Sequence, residues 1–338
     1  MATDGEGEAA ADAGARPTAR PPGLAAADAT AVRVQQRSTA TANPQRFDAK
    51  PAVLVTGASK GIGEACALRL ARDGFRVYAG VRREADGDAL IRSGGDGIVP
   101  VSLDVTDEAA IAAVARRIDE ETGQRGLQAL VNNAGIAIAG PLEFLPIDEL
   151  RRQLEVNVIG QIAVTQACLP LLRRSRASSS GDHRAGRIVF MSSVSGRSAL
   201  PFTGAYAASK FALEAAADSM RVELRPSGIT VSLVEPGVIA TPIWDTAREA
   251  GYRNIERMPP QAQEYYGREL KAIDERAKRG MKGLPPEKVA DAVAHALMAR
   301  RPRTRYVVGR DARARMLMQS LLPTRLRDWA IAAAVKRL

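Results

Sequence analysis

Val53-Leu54-Val55-Thr56-Gly57-Ala58-Ser59-Lys60-Gly61-Ile62-Gly63 is an apolar run that ends in three glycines spaced G-x-x-x-G-x-G. Behind it, Glu64-Ala65-Cys66-Ala67-Leu68-Arg69-Leu70-Ala71 opens with helix-forming residues. The stretch reads as strand, glycine turn, helix. Glycine permits positive φ and lets the backbone approach a ligand closely. A helix start offers unpaired N–H groups and the positive end of a dipole, which suits a pyrophosphate. The spacing does not match G-x-G-x-x-G; its longer first gap is a variant of the same device. Taken alone, an ordinary glycine-rich turn would also explain it.

Working outward, short β-rich runs alternate with helical patterns, the signature of a parallel sheet covered on both faces. Strands are expected near 52–56, 76–81, 98–102, 127–132, 186–191, 229–235 and 305–308. The fold class is α/β, a Rossmann-type doubly wound parallel sheet of about seven strands in a single domain spanning 49–310. Ligands should gather at the carboxyl ends of the strands.

Tyr206-Ala207-Ala208-Ser209-Lys210 places a phenol and an ammonium four residues apart. On a helix they share one face, and the cation would favour the phenolate. Ser193 precedes them at the end of the expected fifth strand. A hydroxyl donor beside such a pair completes a device for moving a proton on or off an alcohol oxygen. Ser192 should point to the opposite face by strand alternation.

Together these residues resemble the short-chain dehydrogenase/reductase family. Asp104, Asn132-Asn133-Ala134-Gly135, Asn157, Ser193, Tyr206 with Lys210, and Pro236-Gly237 with Thr241 follow the glycine loop in the family's order. Stretches such as Val77-Tyr78-Ala79-Gly80-Val81-Arg82 and Gly140-Pro141-Leu142-Glu143 look like the hydroxysteroid and retinol dehydrogenase branch. The resemblance implies a nicotinamide cofactor cradled by Gly57, Ser59, Lys60, Gly61, Ile62 and Gly63. Asp104 would accept from the adenine amino group and Val105 would pack on the ring. Asn132, Ala134 and Gly135 would line the ribose and nicotinamide region through the backbone, with Pro236, Gly237 and Thr241 at the carboxamide. It implies Tyr206 as general acid/base and Lys210 as the cation that favours the phenolate and binds the nicotinamide ribose. Ser193 would donate to the substrate oxygen, and Asn157 would hold a water linking Lys210 to solvent. Homodimers or homotetramers are expected, assembled through the helices bearing Asn157 and Tyr206.

Charge argues for the cofactor. An NAD pocket usually carries a carboxylate after the second strand, whereas this strand ends Gly80-Val81-Arg82-Arg83. Arg82 would offer a planar fork to a 2′-phosphate, with Lys60 as a second positive charge. NADP is expected; Glu84, two residues beyond Arg82, leaves NAD open. Within the same chemistry, a 3-oxoacyl-thioester (acyl carrier protein) reductase and a non-catalytic NADP-binding regulator remain alternatives.

The net charge of +10 raises nucleic acid as a partner. The charge concentrates in 173–187, with five arginines, and in 301–338, with ten basic side chains. Neither stretch interleaves aromatics as a base-stacking surface would, so no nucleic acid is expected. His183 and His295 lie far apart, and no metal is expected. Cys66 and Cys168 fall in predicted helices and suit a reducing compartment without disulfides, so a cytoplasmic enzyme is expected. No run of 18 apolar residues marks a span.

Residues 1–48 read as a disordered tail with neither the apolar core of a secretory signal nor the acid-poor make-up of a transit peptide; a misassigned start codon would fit as well. The insert from Arg173 to Arg187, with Ser178-Ser179-Ser180-Gly181, reads as a loop at the sheet edge opposite the site. Residues 238–285 hold Ile239, Ile243, Trp244, Tyr252, Met258, Tyr265 and Tyr266 in a chain only 4% aromatic. That density suits a lid over a lipophilic small-molecule substrate, or merely side chains that pack the lid on the core. Residues 311–338 read as a basic amphipathic helical extension that packs on its own domain or a second subunit. Weak membrane-surface association is the alternative.

Overall fold

Seven short apolar runs form the strands of one sheet: β1 (Ala52–Val55), β2 (Arg76–Val81), β3 (Ile98–Ser102), β4 (Ala129–Asn132), β5 (Arg187–Met191), β6 (Thr230–Pro236) and β7 (Arg305–Val308). The computed structural model describes residues 50–177, 186–243, 245–247, 249, 251, 257–278 and 283–336. Every neighbouring pair is parallel and the order is β3-β2-β1-β4-β5-β6-β7. The chain therefore winds outward one way from β1, then returns to continue the other way from β4. A crevice opens at such a switch point, outside the carboxyl ends of the strands.

Both faces of the sheet are buried, which is why the strands read as continuous apolar runs. Val53 and Val55 face a core with Cys66 and Leu70 of α1 (Gly61–Arg72) and Val289 and Val293 of α8 (Glu287–Met298). Ala52 and Leu54 face the other core, with Ile118 of α3 (Glu108–Thr122), Val164 and Leu172 of α5 (Gly160–Ala177) and Leu213 of α6 (Gly204–Glu223). The period of two sends alternate residues of one strand to two separate cores. Truncating a fully buried residue such as Leu130 to alanine costs about 2–5 kcal/mol.

Between β2 and β3 the chain forms α2 (Glu84–Gly94). Asp107 caps α3 by accepting from the amides of Ala109 and Ala110. The helix over α4 (Ile147–Leu154), a π-helical turn (Glu155–Ile159) and α5 is continuous. By length and composition, Ile147–Ser175 is apolar enough to cross a membrane. Its buried face nevertheless carries Gln153, Asn157, Gln161 and Thr165. All four hydrogen-bond to the protein's own chain, as befits a helix packed on a sheet.

Among the described parts of 238–285 are α7 (Pro260–Lys278) and a bridge between Ile239 and Leu284. Tyr266 donates to Glu143 at 2.7 Å and meets Phe144 and Phe202 edge-on. Trp244 and Tyr252 lie outside the described residues. So do the tail before residue 50, His183 and Ser178-Ser179-Ser180-Gly181; Arg173 belongs to α5 and Arg187 to β5.

The C-terminal extension differs from a single helix. Pro323 divides it into α9 (Arg310–Leu321) and α10 (Thr324–Lys336), because proline lacks the N–H and the room to continue a helix. The inner side of α9 packs on the protein. Ala312 is fully buried, Asp311 accepts from the Val238 amide, and Arg315 hydrogen-bonds Ser198. Leu317, Leu321, Leu326 and Trp329 are exposed.

Candidate active site

The glycine loop builds one end of the crevice. Lys60, the residue before α1, is extended and its side chain makes no cap hydrogen bond. The first-turn N–H groups of α1 therefore open toward the crevice. Gly61 has φ +62°, a conformation glycine adopts without strain. A Cβ at Gly63 would overlap the carbonyl oxygen of Gly57, so only glycine lets helix and loop approach so closely. Thr56 braces the loop by accepting from the amides of Asn133 and Ala134.

The crevice encloses about 580 Å³. Of the residues expected to bind a cofactor, Gly57, Ser59, Lys60, Gly61, Ile62, Gly63, Arg82, Asp104, Val105, Ala134, Gly135, Tyr206, Lys210, Pro236, Gly237 and Thr241 line it, as does Ser193. Asn132 does not. Its fully buried amide turns the other way and donates to Thr165 at 2.7 Å. Asn133 takes the crevice side and donates to the carbonyls of Thr56 and Gly57. Strand alternation separates these neighbours. It does not separate the two serines as expected: β5 ends at Met191, and Ser192 lines the crevice beside Ser193. Asp104 folds back on Thr106 and its carboxylate is held low, chiefly by the Thr106 amide.

At the cofactor-charge position, Arg82 has no hydrogen-bond or ion-pair partner among the described residues, and Lys60 shares the wall. The neighbouring acid is Asp86, tied to Arg83 at 2.7 Å, while Glu84 is exposed at the start of α2. The Arg83 hydrogen bond lowers Asp86 below its ordinary range, with Lys60 and Arg82 adding to that effect.

The other end holds the titratable cluster. Tyr206 and Lys210 lie on α6 and are both buried, with the Lys210 ammonium 5.8 Å from the centre of the Tyr206 ring. Ser193 caps a turn after β5, accepts from Ser195 at 3.1 Å and hydrogen-bonds the Tyr206 phenol, which lowers that group. Burial outweighs this, and the phenol sits above its ordinary value. That direction is opposite to the one expected from a neighbouring cation. The Lys210 ammonium spends a hydrogen bond on the Met191 carbonyl, and burial pulls it down to about 8.

Asn157 does not reach the crevice wall. From the π-helical turn its amide accepts from the Ile136 N–H and donates to the Ile136 carbonyl and Ser209. It thereby clamps the segment after Gly135. Gln153 and Gln161, passed over in the sequence, grip the same segment at Ile138 and Ala134. Their i, i+4 and i+8 spacing with Asn157 was the available signal. Beyond Tyr206, Ala137, Ile243 and Ala247 pack against its ring and give that end an apolar wall.

A buried phenol and serine facing a crevice, with a phosphate-type cradle opposite, can protonate or deprotonate an oxygen beside a bound dinucleotide. Comparisons agree. The family model described as short chain dehydrogenase matches residues 51–251. Retinol dehydrogenase 5 of Mus musculus is 39% identical over 285 residues, covering 82% of this chain and 86% of that protein. The 17-beta-hydroxysteroid dehydrogenase type 6 of Homo sapiens is 36% identical, over 82% and 87% respectively. A crystal structure of a short chain dehydrogenase from Burkholderia cenocepacia in complex with NADP superposes with a TM-score of 0.61 at 25% identity, over 83% of this chain and 96% of that one. The chain belongs to the short-chain dehydrogenase family, in its retinol and hydroxysteroid dehydrogenase branch, and is an oxidoreductase of alcohols and carbonyls.

Proposed function

We propose that the protein uses NADP(H) to interconvert a lipophilic primary or secondary alcohol and its aldehyde or ketone, with Tyr206 as general acid/base. The observation that carries this reading is the Ser193–Tyr206–Lys210 cluster at the opposite end of one crevice from the glycine cradle. The residues present fit a dinucleotide phosphate. The open N–H groups of α1, the glycine at 63 and the unpaired Arg82 form an anion-binding end. When bound, the nicotinamide supplies or takes the hydride.

The chain's own residues do the rest. In reduction, Tyr206 gives its proton to the substrate oxygen, and burial keeps that proton in place at neutral pH. Ser193 stabilises negative charge developing on the same oxygen. Lys210 lends positive charge behind the phenol and fixes the end of β5. Arg82 and Lys60 favour a 2′-phosphate, and the NADP complex of the Burkholderia protein supports that preference. The apolar wall of Ala137, Ile243 and Ala247 suits a retinoid- or steroid-like substrate, in keeping with the names of the relatives.

A panel of retinoid and steroid ketones or aldehydes together with 3-oxoacyl thioesters, followed by NADPH absorbance, tests the reading. Turnover of the bulky lipophilic members is expected. Turnover confined to acyl thioesters would favour the carrier-protein alternative.

Assembly belongs to the same proposal. Ile159 and Phe211, on the helices bearing Asn157 and Tyr206, are exposed and support a homodimer or homotetramer, to be read by sedimentation equilibrium. Leu321, Leu326 and Trp329, exposed beside Arg325, support weak binding of 311–338 to an anionic membrane surface. Vesicle flotation reads that.

A further inference from the structure

One helical turn beyond Lys210 on α6 lies Glu214, only 5% exposed. Both residues press on Gly196, where an added Cβ would crowd the Glu214 Cγ and the Lys210 carbonyl at 3.0 Å. Glu214 Oε2 accepts from Arg305 Nη2 at 2.9 Å and from Nε at 3.2 Å. The same guanidinium meets Asp218 at 2.8 Å and stands 3.0 Å from Glu235, which is wholly buried in β6. Arg197, from the turn after Ser193, approaches Glu235 at 3.5 Å. Asp218 is shared with Arg221 on the surface side.

The charged groups that the described residues bring to the pair come from several elements. Lys210, Asp218 and Arg221 come from α6, Glu235 from β6, Arg305 from β7 and Arg197 from the turn. The oxygens do not balance if both glutamates are ionised. Glu214 Oε1 and both Glu235 oxygens are buried and accept no hydrogen bond among the described residues. Both carboxylates meet the one Arg305 guanidinium, whose Nε lies 3.2 Å from Glu214 Oε2 and 3.0 Å from Glu235 Oε1. Two carboxylates crowded there in a dry interior cannot both ionise cheaply. One proton on the pair removes a charge and supplies a donor.

We propose that Glu214 and Glu235 share one proton and carry a single negative charge that holds Lys210 protonated, making both of them positioning residues for the active site. Burial, then the charge of Glu214, pushes the Glu235 carboxyl up against the opposing pull of Arg197 and Arg305. In the proposed state the proton sits on Glu235. The negative charge of Glu214 opposes the burial that pulls Lys210 down to about 8. The consequence for turnover rests on the role of Lys210 proposed above; the charge state does not.

The test reads the lysine directly. Protein labelled with ¹³C at lysine Cε is titrated by NMR, the Lys210 signal being assigned with Lys210→Arg. Wild type titrates near about 8. Glu235→Gln, an isosteric replacement of a neutral group, leaves the midpoint in place. Glu214→Gln moves it down only in part, because Glu235 then ionises beside Arg305. The double variant loses the last charge and drops by roughly one pH unit, the low end of the effect of a near charge. The alkaline limb of turnover follows the same order. A double variant with the wild-type midpoint, or Glu235→Gln alone moving as far as the double, overturns the proposal. Glu235→Gln carries the test by itself if the double variant does not fold.

Discussion

Lys210 Nζ donates a 2.7 Å hydrogen bond to the carbonyl of Met191, the last residue of β5. The bond ties α6 to the strand that leads into Ser193, so the phenol and hydroxyl arrive together from different elements. It also shows how the lysine acts on Tyr206. The ammonium stands over the ring rather than on the phenol oxygen, and burial is left to decide that the phenol keeps its proton.

From this follows a pH dependence with a definite sign. Lys210 is lowered to about 8, so its charge is present below that pH and lost above it. Tyr206 is raised, so it remains a proton donor through the same range. NADPH-dependent reduction should fall as pH rises through about 8, while alcohol oxidation, which needs a proton removed, should gain. Profiles of kcat/KM in both directions check this, and a reduction rate that climbs above pH 8 would contradict it.

Arg82→Ala should weaken NADPH binding by about tenfold or more, since a hydrogen bond to a charged group contributes about 1.5–3 kcal/mol. NADH binding should be unchanged. Fluorescence titration with both cofactors reads the difference. Equal losses for the two would make Arg82 structural rather than selective.

Gly63→Ala should abolish binding of either cofactor or unfold the loop, because the new methyl overlaps the Gly57 carbonyl. Gly74→Ala is not an equivalent control for strain, since φ there is +91°, but no atom crowds its Cβ. It should cost stability and leave cofactor affinity intact. Thermal melts and titrations on both variants separate the two effects.

Cys66 and Cys168 are buried and free, and burial pushes both thiols up to about 12. The folded protein should therefore resist iodoacetamide at about pH 8, since the thiolate is the nucleophile. Mass spectrometry before and after denaturation checks it; rapid native labelling at either cysteine would show that its helix opens.

Much of this was legible in the chain. Continuous apolar runs such as Val53-Leu54-Val55 located the strands because a sheet buried on both faces needs no polar alternation. The glycine loop announced the crevice because helix and strand must nearly touch at Gly63. Other features escaped for physical reasons. Asn132 and Asn133 look alike in sequence, and only the pleat decides which one faces the crevice. Pro323 was read through, although it cuts the C-terminal extension into two helices. The direction for Tyr206 was missed because a pair spacing says nothing of desolvation. The meeting of Glu214 with Arg305 joins residues 91 apart, and no local pattern records it.

Tyr206→Phe tests the central claim most directly. In an NADPH absorbance assay with a lipophilic ketone or aldehyde, it should lower kcat by roughly 10²–10⁴, the usual contribution of a general acid. NADPH affinity and the melting temperature should hold near wild type. A Tyr206→Phe variant that binds NADPH and turns over at the wild-type rate would contradict the account.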